Sequence, residues 1–102
     1  MSRRPLKVYH WSGFRSDVPQ AEDRHGQVDC YVAATTKTEA VRHFDASKPR
    51  CPVQPREVSE TRGPAVLALC LPRPGVVFWC GTASRFWTDV QWHEVPTTKA
   101  EG

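Results

Sequence analysis

Between Thr36 and Pro55 the chain carries a helix start and a helix stop in quick succession. Thr36-Lys37-Thr38-Glu39 matches a capping box. The Thr36 hydroxyl can accept the Glu39 backbone N–H, and the Glu39 carboxylate can reach back. Ala40, Val41 and Phe44 then form one apolar face at helical spacing. Asp45-Ala46-Ser47 ends the helix. Pro49, Pro52 and Pro55 prevent a long helix from following, because each lacks a backbone N–H and clashes with the preceding turn.

This start and stop bears on the first functional class, a DNA reader. The segment from Thr38 to Arg50 looks like the opening of a helix-turn-helix, with Lys48 and Arg50 placed for phosphates. A recognition helix must run two or three turns to lie in the major groove. Pro52 would break it, at a cost of about 3 kcal/mol or more. Looser phosphate binding by Arg42, Lys48, Arg50 and Arg56 remains as an alternative, against a plain solvated basic loop. The net charge of +3 permits it without demanding it.

The other elements follow from apolar runs and their breakers. Residues 6–10 read as a first strand, and residues 12–26, with Gly13, Pro19 and Gly26, as a loop. Residues 30–35 read as a buried strand. Residues 56–62 are polar, with room for one helical turn. Two apolar runs, 65–71 and 76–80, flank Pro72-Arg73-Pro74-Gly75 and read as a hairpin. The rival reading makes Pro64 the first residue of a two-turn helix; periodicity alone does not choose between them. Residues 88–95 read as a last strand, and 1–5 and 97–102 as loose termini. The sum is a small single α+β domain, mostly antiparallel sheet with one or two short helices. Its 102 residues fit one domain with a modest core.

Composition narrows the setting. No run of apolar residues is long enough to cross a membrane as a helix. Met1-Ser2-Arg3-Arg4-Pro5 has charge without an apolar stretch behind it, so no signal peptide is expected. The 4 cysteines, Cys30, Cys51, Cys70 and Cys80, form no CxxC pair and read as free thiols of a cytoplasmic protein. Neither Cys51 with His43 nor Cys80 with His93 has the close spacing of a metal-ligand pair, so no metal is expected. A phosphate loop and a GxSxG elbow are both missing.

The 4 tryptophans are generous for this length. Trp87 lies beside Arg85 and Phe86 in a polar stretch that continues to Trp92. Arg and aromatic residues together are typical of protein-binding hot spots, and they can also stack on bases. The competing reading makes Phe86 and Trp87 a lid over the core edge. A second candidate surface is Trp11 with Arg15.

Two resemblances add to this reading. "VYHWS", "CYVAATTKTEAVRHF" and "WHEV" resemble, in order, the landmark strands of ADP-ribosyltransferases of the His–Tyr–Glu type. The resemblance implies NAD as cofactor, His10 holding a ribose hydroxyl, Tyr31 stacking on nicotinamide and Glu94 stabilising the ribosyl cation. The chain departs from that pattern at Trp11-Ser12, where the family has a glycine and then a small hydroxyl residue, and its spacing is compressed. The motifs "KVYHWSGFRSD", "VAATTKTEAVRHF", "SETRGP" and "PGVVFW" are similar to a group of small actinobacteriophage proteins, over most of the chain. Related-looking members are more helical before "PGVVFW". That resemblance implies a phage setting and no particular activity; the expectation is a small phage-type accessory protein of the bacterial cytoplasm that binds a host or phage macromolecule, a protein foremost, without catalysis and without a cofactor.

Overall fold

In a computed structural model, described for residues 5–15, 26–47, 49–81 and 92–94, the centre of the fold is a long antiparallel pair. Strand β1, Lys7–Phe14, runs beside β2, Gln27–Ala34, with Lys7 opposite Ala34 and Phe14 opposite Gln27. Three shorter strands complete a 5-stranded antiparallel sheet: β3, Ser59–Thr61; β4, Phe78–Gly81; and β5, His93–Glu94. The order across the sheet is β3-β1-β2-β4-β5. Helix α1, Lys37–Ala46, follows β2, and helix α2, Pro64–Cys70, precedes β4. A single 3-10 turn, Pro55–Glu57, leads into β3. The domain is α+β, as the sequence indicates.

The period-two alternation of strands assigns each residue to a face. Tyr9, Trp11, Val28, Cys30, Val32 and Trp79 pack against Ala40 and Phe44 of α1, with Val53 and Val58. On the opposite face Val8, Tyr31, Ala33 and Phe78 pack against Val66 and Cys70 of α2. With a helix on each face, β2 is apolar on both sides, which explains its nearly unbroken run.

The helix start matches the expected cap, with one difference. The Thr36 Oγ1 accepts the Glu39 N–H at 3.1 Å. The Glu39 carboxylate reaches past Thr36 to the backbone N–H and hydroxyl of Thr35, at 2.9 and 3.1 Å. These bonds hold its carboxyl below the usual glutamate range.

Three expectations are corrected. The first strand does not stop at residue 10, and the loop expected at 12–26 begins later, because Ser12, Gly13 and Phe14 continue the ladder to β2. Gly13 belongs there because the Trp11 indole lies over it: a Cβ at 13 would come within 2.0 Å of the ring. The hairpin of 65–71 with 76–80 does not form. Residues 64–70 are the rival helix, with Pro64 in its first turn and the Leu67 N–H bonded to the Gly63 carbonyl at 2.9 Å. Val66 and Cys70 point at the sheet one turn apart, so a helix buries both. The strand after it pairs with β2 and β5. Of the strand expected at 88–95, His93 and Glu94 are seen; residues 88–91 and 95 lie outside the described residues. No helix among the described residues is long and apolar enough to cross a membrane.

Candidate functional site

The sheet face that carries α2 is unevenly covered by it. The helix packs over the end holding Val8 and Ala33. Toward the other end the face presents His10, Ser12 and Phe14 of β1, opposite Tyr31, Asp29 and Gln27 of β2. Phe14 is 44% exposed, and Ser12 and Gln27 are exposed as well.

Three of these side chains form a closed triangle. The Ser12 hydroxyl donates to Asp29 Oδ1 at 2.6 Å. The His10 Nε2 lies 2.9 Å from the same oxygen and 3.2 Å from Ser12 Oγ. A carboxylate only accepts, so the Asp29 contact requires the proton on Nε2. The hydrogen bond from His10 is the main reason the Asp29 carboxyl sits below its usual range, with burial working against it and Ser12 adding to it.

This triangle contains Ser, His and Asp but is not a nucleophile triad. In a triad the imidazole joins the serine through one nitrogen and the acid through the other. Here a single nitrogen faces both partners, and the serine proton is held by the acid. A carboxylate with a lowered pKa is a poor base for a serine hydroxyl. The arrangement is a polar surface held rigid across two strands.

The His–Tyr–Glu residues stand in one cross-strand row on this face. His10 is opposite Tyr31, Tyr31 opposite Phe78, and Phe78 opposite Glu94. The His10 and Tyr31 ring centroids are 4.9 Å apart. Tyr31 is also met edge-on by Trp92 at 5.6 Å, and only 7% of it is exposed. Burial and the nearby Asp29 push its hydroxyl pKa up. Glu94 forms an ion pair with Arg73, whose guanidinium also lies 5.7 Å from the Phe78 ring. Tyr31 therefore lacks an open ring face, and Glu94 already has a cation.

The second candidate surface, Trp11 with Arg15, is corrected: both residues are buried. Trp11 packs on Phe44, with 6.1 Å between centroids, and donates its Nε1 proton to Glu57 at 3.2 Å. Arg15 donates to the Ser47 carbonyl at 2.9 Å at the end of α1, with its guanidinium 5.3 Å from the Trp79 ring. A cation there complements the helix C-terminus. Of the other surface, Trp92 packs half-buried on Tyr31, while Arg85, Phe86 and Trp87 lie outside the described residues. Arg42, Arg50 and Arg56 are exposed, and Lys48 lies outside the described residues.

Sequence reasoning missed Asp29, Ser12 and Phe14. The available signal was Asp29 itself, an acid inside an otherwise apolar strand. Among the described residues no group of His, Cys, Asp or Glu could hold a metal ion. A scan against family models, a search of curated proteins and a search of solved structures each gave no match.

Proposed function

We propose that the protein is a phage-type accessory protein of the bacterial cytoplasm that binds a host or phage protein without catalysis. The observation that supports this reading is the sheet face beyond α2. Exposed Phe14 stands there beside the rigid Ser12–Asp29–His10 triangle, with Trp92 packed on Tyr31 of the same face. An aromatic anchor beside polar groups ordered by mutual hydrogen bonds is the make-up of a protein contact. Arg85, Phe86 and Trp87, which the sequence alone offers as part of a contact surface, lie outside the described residues.

The test is affinity capture from an actinobacterial lysate, treated with nuclease, comparing the natural protein with Phe14→Ser and Trp87→Ala. A partner held by the natural protein and lost by a folded variant supports the reading. Partners that vanish with nuclease transfer it to nucleic acid, bound through Arg42, Lys48, Arg50 and Arg56, with steep salt dependence.

An ADP-ribosyltransferase-like reading draws on the row of His10, Tyr31 and Glu94. The covered Tyr31 ring and the Arg73–Glu94 ion pair weigh against it. Saturation-transfer NMR with millimolar NAD tests it directly: a signal revives it, and silence removes it.

A further inference from the structure

We propose that the Asp29 end of this sheet face receives an arginine side chain from the protein partner. This rests on the protein-binding reading above and specifies what the partner presents there.

The Asp29 carboxylate is built in but not charge-balanced. Its Oδ1 takes both internal hydrogen bonds, from Ser12 and His10. Its Oδ2 accepts none among the described residues, and the side chain is 25% exposed. Among the described residues only His10 lies within ion-pair distance of it, and an imidazole is not a permanent cation. A carboxylate with an open oxygen, and with no Lys or Arg beside it among the described residues, attracts a positive donor.

The neighbours specify the donor's shape. With the proton on Nε2, the His10 Nδ1 is left as an acceptor without a partner among the described residues, and the imidazole side chain is 30% exposed. Phe14 lies two positions beyond Ser12 on the same face and offers an exposed ring. One acceptor and an exposed ring thus share the face with the carboxylate, and among the described residues no Lys or Arg touches it. A lysine ammonium is a compact point charge that Asp29 alone would satisfy. A guanidinium is planar, carries five donors and stacks on rings, so it can use Oδ2 and Phe14 together.

The probe is N-acetyl-arginine amide, titrated into the full-length 15N-labelled protein, with N-acetyl-citrulline amide as a neutral isostere. Saturable shifts are expected at the amides of residues 12–14 and 27–29 with the arginine probe and not with citrulline. Asp29→Asn should weaken binding by about tenfold, as loss of a charge-assisted bond does. Phe14→Ser, which changes an exposed side chain and spares the core, should weaken it by about threefold and serves as second variant if Asp29→Asn unfolds. No saturable shift up to tens of millimolar, equal shifts with citrulline, or indifference to both substitutions would overturn the arginine site. A captured partner bound equally well by folded Asp29→Asn would also overturn it, while leaving the protein-binding reading standing.

Discussion

The Trp11 indole lies over Gly13, two residues along the same strand, so closely that a Cβ at position 13 would stand 2.0 Å from Cη2 and 2.2 Å from Cζ2. The ring is buried against Phe44 and cannot swing aside without disturbing α1. Propensity and packing thus pull in opposite directions. Alanine suits a strand better than glycine, yet here it forces the indole out of place. Gly13→Ala should destabilise by about 1–3 kcal/mol, the range for overpacking a core. Urea unfolding checks it, with a lower midpoint and an unchanged slope. A gain in stability would show that Trp11 does not occupy this position.

Arg15 tests burial against surface. As a surface arginine it would tolerate replacement within about 0.5 kcal/mol. As placed here, Arg15→Met should cost about 2 kcal/mol, because the Ser47 carbonyl loses its charged donor at the end of α1. Arg15→Lys should recover little of this, since an ammonium cannot reproduce the planar contact with Trp79. Thermal unfolding of both variants measures the difference.

The Asp29 carboxyl gives stability a defined pH dependence. Its folded pKa lies below the ordinary aspartate range, chiefly through the His10 hydrogen bond. A depressed pKa means that the unfolded chain takes up the proton first. The Asp29 contribution is therefore complete above the unfolded value and is lost as pH falls through the folded one. Denaturation of the natural protein and of Asp29→Asn, at about pH 6 and about pH 3, should show a stability gap that narrows in acid. A gap of constant size would show that the His10–Asp29 bond does not favour the charged carboxylate.

The four thiols should separate under native alkylation. Cys51 is exposed, while Cys30, Cys70 and Cys80 are buried. Burial also pushes the Cys70 thiol up to about 12, leaving almost no thiolate at neutral pH. Iodoacetamide followed by peptide mass spectrometry should mark Cys51 in minutes and the other three only after denaturation. Rapid native labelling of Cys70 would contradict the packing of α2 on the sheet.

The parts of the fold whose physics is local could be read from the residues alone. The Thr36 cap needs only Glu39 three residues on, so α1 was legible from its start to Ser47. The prolines after it act on their own backbone, so the end of α1 was legible too. The alternating strands and the short helices were enough for the α+β class. Tertiary structure decided whatever depends on a distant partner. Residues 65–71 satisfy both periods, and only the sheet presented to Val66 and Cys70 selects the helix. Ser12 and Gly13 look like loop residues until Asp29 and the Trp11 indole occupy the two sides of the strand. Arg15 looks like a surface charge until the end of α1 arrives with a carbonyl to bond. The Ser12–Asp29–His10 triangle exists because the β1–β2 register sets Ser12 opposite Asp29 and His10 opposite Tyr31. A one-residue slip would send these side chains to the other face.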